Sequence, residues 1–360
     1  MDAIFLLLQP YLCSAGSSES CLLVADENLI DIPFASLDAS VQVLSNRFDI
    51  ARQAQLANCE YLFNDFDFSG FANASFKRII YRVSKEKPVA HHIINNSLRL
   101  LNDNGELILL GAKNEGIKTY ASKAANYFDT QAMVSKHGNY YLATITKNGV
   151  QNPTSNNLNE NRLLPLKTPY ENFTPINDGE DKPLYSKPGL FGWNKIDRGS
   201  ALLAQHLNEF FADFDTPPRT LLDLGCGYGY LSVMAAQTLL DANLHIEATD
   251  NCAAAIIACH KNFAAFDISG EVIAADCANT VKKTFDAVLC NPPFHQGFKT
   301  DSRLTEKFLK SAAQHLKPSG RALFVVNQFV PLEKLAQPIF SRCEKIIEAD
   351  GFKLVVLSKN

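Results

Sequence analysis

From about residue 219 the chain alternates two kinds of hydrophobic pattern. Short runs of four to seven mostly apolar residues, "RTLLDLG", "HIEATD", "EVIAAD", "FDAVLC" and "RALFVVN", read as buried strands. Between them, "YLSVMAAQTLL", "CAAAIIACHKNFAAF", "RLTEKFLKSAAQHL" and "PLEKLAQPIFSRC" are longer and carry apolar residues at helical spacing. Strands alternating with helices of this length predict right-handed crossovers and a mostly parallel sheet covered on both faces. The last two runs, "KIIEA" and "FKLVVLS", are separated by Asp350-Gly351, so the sheet is expected to reach seven strands and end in an antiparallel hairpin.

The first half has the same outline. "ASFKRIIYRVSKEKPVAHHIINNSLRLLNDNGELILLGAKN" can be laid over "KTFDAVLCNPPFHQGFKTDSRLTEKFLKSAAQHLKPSGRALFVVNQ": strand, break, helix ending in Leu, a turn with Gly105 or Gly320, then an apolar strand. This predicts an internal duplication. The copies differ where chemistry is expected. The first has no glycine cluster after its first strand, Asn46 stands in the place of Asp250, and "YRVSK" stands in the place of "CNPPF". The expected organisation is a degenerate first domain at 1–150, a linker at 151–184 within an Asn/Pro-rich stretch, and a catalytic domain at 185–360.

Totals narrow the class. With 46% hydrophobic and 20% charged residues, a packed core is expected. A net charge of -4 argues against coating nucleic acid by bulk charge, while leaving room for a local basic patch. The nine cysteines form no C-x-x-C pair, and no His/Cys cluster has zinc spacing, so no metal is expected. Cys226, Cys252, Cys259, Cys277 and Cys290 read as small core residues of a reducing compartment. "MDAIFLLLQPYL" reads as an amphipathic helix rather than a signal peptide, and no run is long enough to span a membrane. The expectation is a cytoplasmic monomer without membrane contact.

"LLDLGCGYGYL" places Gly225, Gly227 and Gly229 between a strand and a helix, with Asp223 two residues ahead. Dinucleotide enzymes put glycines in the same place, but a pyrophosphate is poorly served by a neighbouring carboxylate. A carboxylate suits a cationic ligand, and S-adenosylmethionine carries both a sulfonium and an ammonium group. NAD(P) and a purely structural turn are the alternatives. Asp250 ends the next strand and suits a ribose diol; Asp276, after the third, can receive an adenine amino group with the Cys277 amide nearby. Cys226, Asn251 and Cys277 flank these groups and are taken with the cofactor site, as is Asn291. All fall at C-terminal strand ends, where open α/β sheets bind ligands.

The fourth strand runs into Asn291-Pro292-Pro293-Phe294. The prolines cannot donate ladder hydrogen bonds and stiffen the loop, leaving the Asn291 side-chain oxygen and the backbone carbonyls as acceptors. Two acceptors aimed at the N–H bonds of a planar amine would orient it, and would stabilise charge developing as its lone pair turns toward a methyl donor. Phe294 would stack on the base. Asn291, Pro292 and Phe294 are therefore the candidate catalytic residues. His295 reads as a loop-fixing hydrogen bonder or a contact to base or phosphate. Asp286 reads as a strand cap. Two basic stretches, Lys77, Arg78, Arg82, Lys85 and Lys87, and Lys299, Arg303, Lys307 and Lys310, are candidate RNA contacts.

Together, "NPPFHQG", "DLGCGYGYLS" and "KPGLFGWNKIDRGSALL" resemble the bacterial 16S ribosomal RNA guanine-N2 methyltransferase family of RsmC type, a class I group dependent on S-adenosylmethionine. The resemblance implies two tandem Rossmann-like domains, the first degenerate. It implies methyl transfer to a guanosine N2 in small-subunit rRNA, as naked RNA or as an assembled 30S subunit. It places the methionine part on Asp223, Gly225 and Gly227, the ribose on Asp250, the adenine on Asp276 and the guanine on Asn291, Pro292 and Phe294. Phe191 and Asp197 become the expected cofactor-side contacts of the "KPGLFGWNKIDRGS" segment. The alternatives are a 23S rRNA guanine-N2 enzyme, an N-methyltransferase acting on DNA adenine or protein glutamine, and a non-catalytic RNA-binding factor.

Overall fold

The computed structural model describes residues 3–13, 19–29, 31–148, 169–177, 182–240, 242–293 and 302–359. They fall into two compact units, Met1–Tyr170 and Glu171–Asn360.

The first unit opens with helix α1 (Ala3–Leu12), which buries Ile4, Phe5, Leu8 and Leu12 and leaves Leu6 exposed. It continues through β1 (Cys21–Ala25), β2 (Val41–Ser45), α2 (Phe48–Leu56), β3 (Glu60–Phe63), β4 (Phe76–Arg82), α3 (Lys87–Leu100), β5 (Leu101–Ala112), α4 (Ile117–Phe128), β6 (Ala132–His137) and β7 (Tyr140–Thr146). The strands form one sheet in the order β3-β2-β1-β4-β5-β7-β6. Central β1, "CLLVA", is buried along its whole length because apolar clusters cover both sheet faces. At the end of this unit Tyr170 is buried against His92 and donates its hydroxyl hydrogen to Asp65.

The second unit starts with a small ribbon, β8 (Thr174–Ile176) and β9 (Leu184–Ser186), and two short helices, α5 (Arg198–Gln205) and α6 (Leu207–Ala212). Then follow β10 (Thr220–Leu224), α7 (Tyr230–Thr238), β11 (His245–Asp250), α8 (Ala253–Ala265), β12 (Gly270–Ala274), β13 (Phe285–Cys290), α9 (Ser302–His315), β14 (Leu316–Asn327), α10 (Leu332–Ala336), β15 (Arg342–Ala349) and β16 (Phe352–Ser358). The sheet order is β12-β11-β10-β13-β14-β16-β15, the order of the first unit repeated. Strands β12 to β14 are parallel, and β16 runs antiparallel to both β14 and β15. The β15–β16 turn is Asp350-Gly351, both in the left-handed region. Helix α10 is shorter than its apolar pattern predicts. Pro338 has no backbone N–H to donate to a helical carbonyl, and its ring clashes with the carbonyl four residues back, so the helix does not continue through it.

The two units match in detail. Strands β5 and β14 are each 12 residues long and share one alternation of buried and exposed positions. In both, a left-handed residue (Asn104, Ser319) precedes a glycine whose Cβ would come within 2.9 Å of the carbonyl three residues back. Strand pairing then sets the equivalences. Arg78 faces Glu106 as Ala287 faces Arg321, and Cys21 faces Arg78 as Leu221 faces Ala287. Leu23 therefore corresponds to Asp223, and Arg82 to Asn291. Leu23 faces Val43 as Asp223 faces Ala248, so the counterpart of Asp250 is Ser45, one residue before the expected Asn46. The side chains agree: Ser45 Oγ accepts from Arg47 N at 3.0 Å as Asp250 Oδ1 accepts from Cys252 N at 2.8 Å.

Candidate functional site

The site is built at the C-terminal ends of β10, β11, β12 and β13. Asp223, one residue before the end of β10, is buried, and its Oδ2 accepts from Ser232 N at 3.0 Å and Ser232 Oγ at 2.6 Å. Its Oδ1 is buried with no hydrogen-bond partner among the described residues. Burial pushes this carboxyl up to about 7, against the lowering effect of the Ser232 bonds. An aligned, half-satisfied buried carboxylate is an acceptor set for a cationic or N–H-bearing group.

The glycine turn hangs on β11. Gly225 N and Cys226 N both donate to Thr249 O at 2.9 Å, and Gly227 N donates to Asp250 Oδ2 at 3.0 Å. Gly225, Gly227 and Gly229 all have positive φ, at 80°, 54° and 86°. Among the described residues, the space that a Cβ on Gly227 would enter is open to 4 Å, which makes it a place where a ligand can meet bare backbone. Gly229 is crowded, since its Cβ would stand 2.7 Å from Cys259 Sγ. Cys226 is buried, while Asn251 beside Asp250 is half-buried.

After β12, Asp276 is half-buried and forms an ion pair with Lys307 of α9. Cys277 and Ala278 follow with φ of 49° and 56°, and Ser311 Oγ donates to Cys277 O at 2.8 Å. Lys307 is therefore turned toward Asp276, and Lys310 pairs with Glu306, so the expected basic face of α9 is divided. The first basic stretch divides too. Lys77 donates to Asn104 O, Arg78 pairs with Glu19 and Glu106, and Arg82 is buried against Glu115 at 2.7 Å; of this group only Lys85 and Lys87 are exposed. A strand sends neighbouring side chains to opposite faces, so adjacent basic residues do not make one patch.

At the end of β13 Asn291 is half-buried, Pro292 is buried and Pro293 is exposed. Asn291 Nδ2 donates to Asp197 Oδ2 at 3.0 Å and to Ser200 Oγ at 2.8 Å. Its Oδ1 has no hydrogen bond among the described residues. Strands β10 and β13 are neighbours in register, Asp223 facing Leu289, so the Asn291 loop lies beside the glycine turn. Phe294, His295 and Lys299 lie outside the described residues. Asp286 behaves as a cap: its Oδ2 accepts from Arg219 N, Thr220 N and Thr220 Oγ1, and it pairs with Lys317. Phe191 is 80% exposed. Asp197 is not spent on a free surface; it sits on Asn291, a link between residues 94 positions apart that spacing does not reveal. Ser232 and Ser200 were likewise without a sequence signal beyond being polar residues in helical first turns.

Comparison with known proteins follows the same division. The family model described as "Methyltransferase small domain" matches residues 181–356, and "Methyltransferase small domain N-terminal" matches residues 18–158. Ribosomal RNA small subunit methyltransferase C of Pseudomonas paraeruginosa is 34% identical over 251 residues, 69% of this chain and 70% of that protein. The protein of the same name from Pseudomonas putida strain W619 is 29% identical over 283 residues, 78% of each. Among solved structures, the T. thermophilus 16S rRNA N2 G1207 methyltransferase (RsmC) in complex with AdoMet and guanosine superposes with a TM-score of 0.78 at 21% identity, covering 100% of this chain and 92% of that one. The α/β fold of each unit is thus shared with that structure.

Proposed function

The chain belongs to the ribosomal RNA small subunit methyltransferase C family, and from that premise we propose how its own residues perform the reaction. It transfers the methyl group of S-adenosylmethionine to the exocyclic N2 amino group of a guanosine in 16S rRNA. The observation that carries the assignment of roles is the adjacency of two strand ends: the half-satisfied Asp223 with its glycine turn on β10, and Asn291-Pro292 on β13.

The donor set fits the cofactor. Asp223 Oδ1 would receive the positively charged methionine part beside the open backbone at Gly227, with Gly225 and Cys226 completing the turn. Asp250 and Asn251 would hold the ribose, and Asp276 with the Cys277 amide the adenine. When bound, the cofactor supplies an electrophilic methyl group on sulfur. Asn291 Oδ1 and the backbone carbonyls of Asn291 and Pro292 accept from the two N–H bonds of the guanine amine. They hold it in one orientation and stabilise the positive charge that grows on nitrogen. The rigid prolines keep these acceptors in place without a conformational search. Phe294 is proposed as the base-stacking residue. A structured RNA must unstack the target base to reach such a pocket.

The first unit is proposed to be a non-catalytic copy that positions RNA. What supports the non-catalytic part of this reading is that Leu23, Ser45 and Arg82 stand where the second unit has Asp223, Asp250 and Asn291, with Arg82 closed onto Glu115. We take the protein to be a cytoplasmic monomer acting on small-subunit rRNA, naked or within the 30S particle. Among the described residues no helix is long and apolar enough to cross a membrane. The test is Asn291→Ala in the full chain: cofactor binding by calorimetry is retained, while methyl transfer to 16S rRNA falls by about 10²-fold or more. Transfer at the parental rate would overturn the assigned role. A parent that binds no S-adenosylmethionine would favour the RNA-binding reading instead.

A further inference from the structure

We infer that Asp197 and Ser200 are positioning residues that decide which end of the Asn291 amide meets the substrate. The inference rests on the function proposed above and adds a specific device to it. A primary amide presents an acceptor at one end and two donors at the other, and the two ends have nearly the same shape. A loop that clamps an amine needs the oxygen end outward; turned over, it would aim N–H bonds at N–H bonds.

The surroundings of Nδ2 remove the ambiguity. Its two hydrogens are directed to Asp197 Oδ2 at 3.0 Å and Ser200 Oγ at 2.8 Å. A carboxylate can only accept, so turning the amide over would bring oxygen against oxygen at that distance. Asp197 is itself held, because the same Oδ2 accepts from Ser200 N at 2.9 Å as the N-cap of α5. Helix α5 is seated firmly in turn: a Cβ on Gly199 would come within 2.9 Å of the Phe352 ring, so only glycine lets the first turn lie that close to β16. The polarity of Asn291 is thus set by a helix start lying 94 residues earlier. The negative charge behind Nδ2 also polarises the amide and makes Oδ1 a stronger acceptor for an amine that is becoming cationic.

The test uses the full chain, 16S rRNA, labelled S-adenosylmethionine and four variants: D197A, D197N, N291D and the double variant D197N/N291D. Asn is as good a helix cap as Asp and can still accept from Asn291 Nδ2, so D197N separates capping from charge. D197A should lower kcat by about 10²-fold with the cofactor dissociation constant within about twofold of the parent, the split expected when orientation is lost and binding is kept. D197N should retain more activity than D197A. N291D sets two carboxylates against each other and should be as slow as D197A. Adding D197N removes one of the two opposed negative charges and should raise kcat by about tenfold. Parental kcat in D197A would overturn the inference. So would a loss of cofactor affinity matching the loss of kcat, which would make Asp197 part of the cofactor site, or an N291D variant not improved by D197N. If the parent itself does not methylate 16S rRNA, the proposed function fails, and that result is distinct from all of these.

Discussion

Replacing Gly229 by alanine separates the two jobs of the glycine turn. Its φ of 86° is left-handed, which costs an L-residue about 1–2 kcal/mol. The new methyl group would also stand 2.7 Å from Cys259 Sγ, and Cys259 is fully buried in α8, so it cannot swing away. Overpacking of this kind costs about 1–3 kcal/mol, for a total near 2–5 kcal/mol. Gly227→Ala is the control: its φ is 54° and, among the described residues, no non-adjacent atom lies within 4 Å of the added carbon, so only about 1–2 kcal/mol of backbone strain is expected. Its loss should appear in cofactor affinity instead. Trp193 is the single tryptophan and packs against the core of the second unit, so urea unfolding followed by its fluorescence reports the right region. In a Cys259→Ala background the sulfur is gone, and the cost of Gly229→Ala should drop to that of Gly227→Ala. If Gly229→Ala costs no more than Gly227→Ala, or costs the same with and without Cys259, the crowding argument is wrong.

Two further tests address the first unit. Burial pushes the Asp26 carboxyl up to about 7, so between about pH 4 and pH 7 the folded chain keeps a proton that the unfolded chain has released. That contribution to stability is complete below about pH 4 and is lost as pH rises through 7. Asp26→Asn, which can still accept both Asn28 bonds at Oδ1, should flatten this decline in a pH series of urea midpoints; an unchanged slope would contradict the assignment. Glu115 pairs with Arg82 where both are about 95% buried, at 6% and 5% exposure, and its Oε2 also accepts from Ala112 N. Glu115→Ala should cost about 3–5 kcal/mol in unfolding monitored by circular dichroism, and a cost under about 1 kcal/mol would show that the pair does little.

Much of the backbone of the candidate site was legible because it is local. Gly225, Gly227 and Gly229 are needed by backbone angles within one turn, and Asn291-Pro292-Pro293 announces a strand that stops. The duplication was legible because both copies bury the same alternating pattern, seen most clearly in β5 and β14. Register was less secure. A slip of one residue moves a side chain to the other face, and this is how Asn46 was expected in the place that Ser45 occupies. The basic run from Lys77 to Lys87 read as a single surface, yet β4 turns Arg82 inward while Lys85 and Lys87 lie beyond its end. The bond from Asp197 to Asn291 had no local signal at all, since it joins a helix cap to a distant strand end and only folding brings them together.

The Arg82–Glu115 pair also bears on reversibility. Placing asparagine at position 82 alone would leave the Glu115 carboxylate enclosed without this guanidinium, and changing Glu115 alone would break the same enclosed ion pair. Either single change at this pair is expected to lower stability. A pair enclosed in this way is more easily refined by small changes around it than removed, so the interior at position 82 resists acquiring the asparagine that the second unit carries at the matching place.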